Sequence, residues 1–545
     1  MTNKDIKEAE SIVQLALPTW TKEQRLSIAR ISAQALTQTA PFSGELWSRE
    51  WWATILNYLK LTQPELEAHY ISLNQALRQV STEKRDIRIE ILMDMLALAL
   101  HITPDAMKKE AAQSKRRHIM VYDARSRQFL ITLTQLLQLQ QGISDLCAVE
   151  RSVTQQVYYG MLEQQKKQHP GQSEAEIEST VREAVENSNK KKEALRWLAT
   201  GAGILGGGAV IALTGGLAAP LLAPILVGVT GATFFATAGG VVLVTGLFGL
   251  TGGGLAGWKM HRRMKGIEDF RFQQILNDPD LPPVPALNAT ICISGFLLEP
   301  KDESTTPWER AFEGNRANND VFCLNYEQDI LLDLGYSFKK FVKDTAIRYA
   351  GMEVARATVL HAVFAAVALP ATVMKLADVI DNPWQMAVDR SKKAGEVLAD
   401  IIEQRVQGHR PCNLVAYSCG CLVIWQCLLE LQKRGLYGYI DNVIMMGAPI
   451  STVSTPEEDE DISLKWAQAV SVVSGRFVNC YTPNDWVLAF VYRLHSLAMN
   501  VAGLEEVKVL GANGHNRITN IKVDIDGHTK YPYAVKEILD QVRFE

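Results

Sequence analysis

The chain has 545 residues, enough for three or four domains, and its 47% hydrophobic and 21% charged residues give a globular balance. A net charge of −4 provides no global basic field, which argues against a nucleic-acid partner. The N-terminus is polar and has no apolar core run, so no cleaved secretory signal is expected, and the eight cysteines read as buried free thiols in a reduced compartment.

Residues 1–165 read as an all-helical domain. Apolar positions recur at helical spacing in 86–100 and again in 128–141. Trp20, Trp47, Trp51 and Trp52 are expected in an aromatic core rather than on a binding surface. No catalytic constellation precedes residue 280, so this part is expected to bind or regulate, with a protein partner that the residues do not name. Residues 166–196 form a charged helical linker.

Composition changes abruptly at Trp197. From there to Trp258 the chain carries no Asp, Glu, Lys, Arg or His. A membrane-spanning helix needs about 20 apolar residues, so 197–258 is expected to form a two-helix membrane hairpin. Its many glycines permit close helix approach. Lys190-Lys-Lys192 and Arg196 precede the hairpin, and Lys259, Arg262 and Arg263 follow it. Basic residues on both flanks place both ends on the cytoplasmic side.

Residues 280–545 alternate short apolar runs with helical segments, which predicts a mostly parallel sheet with helices on both faces, an α/β-hydrolase domain. Strands are expected at 289–294, 320–326, 413–417, 442–446 and 476–481, with a sixth at 507–510. The run Leu414-Val-Ala-Tyr-Ser-Cys-Gly420 has the layout of a nucleophile elbow with Ser418 at its tip, and Ala416 stands where glycine is commonest. Cys419-Gly-Cys421 lacks metal or redox spacing, and no metal or cofactor site emerges.

A serine nucleophile needs a base, and the base needs an orienting acid. Of the histidines after Ser418, His528 lies in a Gly-His pair before a final helix and is favoured over His515 and His495. Asp485, in a turn directly after a strand, is the favoured acid, ahead of Asp524 and Asp526. Asp441 and the acidic run 457–461 read as solvated loop. Backbone N–H groups of Cys419 and Phe296 are expected to form the oxyanion hole, with Gly295 and Leu297 beside them as substrate-binding positions. The uncharged run 357–374 reads as a helix over the site, either a lid that meets lipid or an ordinary buried helix.

Several motifs are not generic to such a domain: Tyr122-Asp-Ala-Arg-Ser-Arg127, Gly257-Trp-Lys-Met260, Ile380-Asp-Asn-Pro-Trp384, Met446-Gly-Ala-Pro449, Val473-Ser-Gly-Arg476 and Asp485-Trp-Val-Leu-Ala-Phe-Val-Tyr-Arg493. Through them, residues 120–540 resemble the transmembrane and coiled-coil domain-containing protein 4 family. The resemblance implies a membrane-anchored α/β-hydrolase fold whose triad maps to Ser418, Asp485 and His528. That family usually has glycine at position 416 and no cysteine after the serine, and it supplies no substrate.

The expected function is a membrane-associated serine hydrolase that cleaves an ester, such as that of a lipid, through an acyl-enzyme, with membrane lipid as its surroundings. Two other functions compete. One is a membrane-anchored scaffold or trafficking adaptor with a degenerate hydrolase domain. The other is a membrane-inserting toxin or defence effector.

Overall fold

The computed structural model describes residues 16–82, 85–100, 122–139, 141–152, 267, 269–275, 286–299, 304–313, 319–348, 371–406, 410–454, 461–495, 500–511 and 514–544. The charged linker, the hairpin at 197–258 and the acidic residues 457–460 lie outside them. So does the apolar run 357–374, except for its last four residues. Among the described residues no helix is long and apolar enough to cross a membrane.

Seven strands form one sheet: β1 (Phe270–Gln274), β2 (Ala289–Ile293), β3 (Asp320–Tyr326), β4 (Cys412–Tyr417), β5 (Ile440–Met446), β6 (Phe477–Tyr481) and β7 (Ile518–Lys522). Their order is β1-β3-β2-β4-β5-β6-β7. All pairs are parallel except the edge pair β1–β3. The β2 and β4 runs are buried at every position, as a parallel sheet covered on both faces requires. One polar seam crosses their interior. Asn413 donates to Thr290 Oγ1 and accepts from the backbone and side chain of Asn442, so each buried amide is matched across β2, β4 and β5.

Three sheet elements depart from the sequence expectation. The edge strand β1 precedes residue 280, and β7 lies at 518–522. Residues 507–510 form no strand. There, side chains meet most of the backbone groups: Val507 N–H donates to Asn520 Oδ1, its carbonyl accepts from Asn516 and Asn520, and Val509 N–H donates to Asn516 Oδ1, while Val509 O accepts the Arg517 N–H beside an isolated Leu510–Asn516 bridge. Asparagine competes in this way for backbone groups.

The N-terminal part is helical, as its periodicity predicts: α1 (Lys22–Ser43), α2 (Glu45–Leu59), α3 (Gln63–Ala68), α4 (Leu73–Val80), α5 (Arg88–Ala99) and α6 (Ala124–Leu136), with Ser81–Thr82 paired antiparallel to Arg85–Asp86. Trp20 and Trp51 are buried in its core, and Trp47 stacks on Trp51. This core is separate from that of the sheet.

The Tyr122–Arg127 motif joins the two. Asp123 caps α6 through the Ser126 N–H, and Ala124 N–H donates to Gly438 O in the turn before β5. Arg127 is buried between Glu150 and Asp441, at 3.1 and 2.8 Å. Asp441 is therefore not solvated loop: it has no exposed surface and also accepts from Gln128 at 2.6 Å. No local pattern announces this, because the cationic partner lies 314 positions away in the chain.

The remaining helices flank the sheet: α7 (Thr306–Ala311), α8 (Gln328–Arg348), α9 (Ala371–Glu403, with Pro383 inside), α10 (Cys419–Lys433), α11 (Ile462–Ser471), α12 (Trp486–His495) and α13 (Tyr531–Val542).

Candidate active site

The carboxyl end of β4 runs directly into α10, and the residue between them is Ser418. Its backbone sits at φ 55°, ψ −131°, a region that costs a non-glycine residue strain. Ser418 N–H donates to Met446 O at the end of β5, which anchors the turn. The bend also needs close approach. A Cβ on Gly420 would stand 2.4 Å from Ile293 O, and one on Gly295 would stand 2.2 Å from Tyr417 O and 2.3 Å from Cys419 N. The loop after β2 thus rests directly on the elbow, and only glycine permits it.

Asp485 follows β6. Its Oδ1 accepts the Leu488 N–H, so the first turn of α12 holds the carboxylate. His528 follows β7 on a short 3-10 turn, and Gly527 before it takes φ 98°, which glycine tolerates at no steric cost. Three strand ends therefore converge. Ser418 Oγ lies 2.6 Å from His528 Nε2, and His528 Nδ1 lies 2.5 Å from Asp485 Oδ2. With the neutral imidazole's proton on Nδ1, that group donates to the carboxylate and Nε2 is free to accept the serine proton.

The structure does not bring His515, Asp524 or Asp526 here. His515, Asp524 and Asp526 lie on exposed loop positions. His495 ends α12. Asp461 caps α11 through the Ser463 N–H.

The array is closed off from solvent: Ser418 and Asp485 are 0% exposed and His528 is 1% exposed. Aromatic rings surround the imidazole. Phe338 of α8 meets it edge-on at 5.2 Å, Phe296 lies tilted at 5.5 Å, and Tyr531 stands edge-on at 5.5 Å. Beyond them Phe338 meets Trp384, and Phe341 meets Trp486 and Phe490. This cover comes from the buried face of α8, formed by Leu331, Leu334, Phe338 and Phe341. A cavity of about 270 Å³ between α9 and α10 is lined by charged residues including Lys393, Asp400 and Arg434, and none of the array lines it.

Burial pushes the Cys419 thiol up to about 12, so the residue next to Ser418 stays a neutral thiol near pH 7. All eight cysteines are free and buried. Tyr531 is pushed upward, first by burial and then by the nearby Asp485 charge. Among the described residues no group of three His, Cys, Asp or Glu side chains is arranged to hold a metal ion.

The Cys419 and Phe296 N–H groups have no carbonyl partner among the described residues. Gly295 and Leu297, expected beside substrate, have other constraints. Gly295 packs on the elbow, and Leu297 is buried with its N–H donated to Leu331 O at 3.0 Å.

Fold and site define a mixed α/β protein on a mostly parallel seven-stranded sheet, with a buried serine–histidine–aspartate array at the carboxyl ends of its strands. The chain belongs to the family described as "Protein of unknown function (DUF726)", whose model matches residues 191–545. It is 33% identical over 362 residues to the transmembrane and coiled-coil domain-containing protein STS1 of Oryza sativa subsp. japonica, covering 63% of this chain and 51% of that protein. It is 32% identical over 433 residues to the uncharacterized membrane protein F35D11.3 of Caenorhabditis elegans, covering 77% and 64%. It is 29% identical over 432 residues to the probable lipase MIL1 of Saccharomyces cerevisiae, covering 77% and 37%. In each comparison this chain spans less than two thirds of the relative's length. No solved structure matches it.

Proposed function

We propose that this chain is a membrane-associated serine ester hydrolase of the α/β-hydrolase type, with Ser418 as nucleophile, His528 as general base and acid, and Asp485 as its orienting carboxylate. The observation that carries the reading is the unbroken chain of contacts from Ser418 Oγ through the imidazole to Asp485. The order of these residues in the chain and their places after β4, β6 and β7 fit the same reading. The resemblance to the transmembrane and coiled-coil domain-containing protein 4 family is part of this proposal.

Ser418 Oγ attacks the ester carbonyl carbon while its proton passes to His528 Nε2. The carbonyl oxygen becomes an oxyanion, which the Cys419 and Phe296 N–H groups stabilise. The C–O bond to the leaving alcohol breaks, and His528 returns the proton to that alcohol. Water then attacks the acyl-enzyme, giving its proton to His528, and the acid leaves as Ser418 is reprotonated. Asp485 stabilises the imidazolium formed in each half.

An apolar acyl ester, such as that of a lipid, is the proposed substrate. The rings of Phe296, Phe338 and Trp384 around the array favour it, and one relative carries the name probable lipase. The charge-free stretch at 197–258 and the relatives named membrane proteins support a membrane setting. In that setting both flanking domains lie on the cytoplasmic side. A protein partner at the N-terminal helices remains a further part of the proposal.

A fluorophosphonate probe tests the reading. The wild-type chain should label, and Ser418→Ala should not. Folded protein that never labels and cleaves no short-chain p-nitrophenyl ester would instead favour an adaptor with an inert hydrolase domain, a reading that the complete burial of Ser418 supports.

A further inference from the structure

Oxyanion stabilisation depends on where a donor is aimed, so the groups that hold the loop after β2 matter as much as the donor. Three consecutive carbonyls of that loop are each met by a different neighbour. Phe296 O accepts the Tyr417 hydroxyl at 3.3 Å. Leu297 O abuts the Cα of Gly335 so closely that a Cβ there would stand 1.8 Å away. Leu298 O accepts Lys339 Nζ at 2.9 Å.

The same peptide group that offers Phe296 O also offers the Leu297 N–H, which donates to Leu331 O. That single peptide is therefore gripped at both ends: by the elbow through Tyr417, the residue before Ser418, and by α8 through Leu331. Its plane is set, and the next carbonyl is set by Gly335. Among the described residues the Phe296 N–H, one residue before the gripped peptide, has no carbonyl partner.

We infer that Tyr417 and Gly335 are positioning residues that aim the Phe296 N–H at the oxyanion. Tyr417 ties the donor loop to the elbow, so nucleophile and donor keep a common frame. Stacking on Trp308 at 5.7 Å fixes the phenol, and Trp308 Nε1 in turn donates to Ser294 Oγ at the end of β2. Gly335 lets α8 press on the loop from the other side. The inference rests on the hydrolase reading of Ser418.

The test uses the full chain, a short-chain p-nitrophenyl ester and an aryl trifluoromethyl ketone, whose serine hemiketal carries an oxyanion. Removing a donor outright typically costs 10²–10³ in kcat, so a misaimed donor should cost about tenfold. For Tyr417→Phe, which keeps the ring, kcat should fall about tenfold and the inhibitor constant should rise by the same factor. KM should stay within about twofold, and so should the fraction of sites titrated by fluorophosphonate. Gly335→Ala should show the same pattern more strongly, and Tyr417→Phe decides if that variant does not fold. Wild-type kcat and inhibitor affinity in Tyr417→Phe would overturn the inference, as would a fall in kcat with unchanged inhibitor affinity. A wild-type chain that hydrolyses no ester and binds no ketone would instead sink the hydrolase reading, and the inference with it.

Discussion

Ala416 and Gly420 share one space: a Cβ on Gly420 would stand 3.2 Å from the Ala416 methyl. The elbow thus accommodates its unusual alanine because the second glycine leaves room for it. The same added Cβ would stand 2.4 Å from Ile293 O, so the two positions are not interchangeable. Gly420→Ala should cost about 1–3 kcal/mol by overpacking. Ala416→Gly should cost only about 0.5–1 kcal/mol, the strand entropy of glycine. The double variant should stay as unstable as Gly420→Ala. Urea melts separate these outcomes, and a double variant restored to wild-type stability would show that Ile293 yields.

Ser418 itself stores strain at φ 55°. Replacing it by glycine removes the Cβ and should make the fold more stable than Ser418→Ala by about 1–3 kcal/mol. Both variants should be unlabelled by fluorophosphonate. Equal melting temperatures for the two would place the strain elsewhere.

Phe338 stands edge-on to the His528 ring and is buried. Phe338→Ala should cost about 3–5 kcal/mol of stability. It should also uncover the array, so phosphonylation of the surviving folded protein should speed up. A rate equal to or below that of the wild type would mean that access runs along another wall.

Asp94 lies buried in the helical domain, where burial pushes its carboxyl up to about 6. The N–H groups of Ala16 and Leu17 and the Tyr58 hydroxyl only partly offset that. Between the ordinary value of 3.8 and about 6, the folded chain holds a proton that the unfolded chain has released. Stability from this group is therefore fully present below 3.8 and lost as pH rises through about 6. The loss amounts to about 3 kcal/mol, at 1.36 kcal/mol per unit. Unfolding of wild type and Asp94→Asn compared at pH 4 and pH 7 should show it in the wild type alone, and parallel pH profiles would refute it.

Arg127 neutralises two carboxylates where the helical domain meets the sheet. Arg127→Met should cost about 3–5 kcal/mol, because Glu150 and Asp441 are left buried without their cation. Adding Glu150→Gln and Asp441→Asn should recover most of that loss, as measured by thermal melts. Failure to recover would point to lost packing of the Arg127 stem rather than to charge.

Local signals in the chain carried much of this protein. Helical periodicity in residues 86–100 and 128–141, the short, mostly apolar runs of strands β2 to β6, the elbow around Ser418, and the Gly527-His528 pair before a final helix are all properties of neighbouring residues. Steric and hydrophobic rules act directly on such neighbours. What those rules do not reach is distance across the fold. The edge strand β1 is half polar, because one face meets solvent, and so it carries no strong apolar run. The asparagines that meet backbone groups of Val507 and Val509 act from up to thirteen residues away. Only tertiary structure paired Asp441 with Arg127, 314 positions apart, and set His528 between Ser418 and Asp485. It alone revealed that Phe338 covers the site and that one peptide of the Phe296 loop is held between Tyr417 and Leu331. Pairings of this kind are decided by how the whole sheet and its helices pack, since that packing alone selects which distant groups meet.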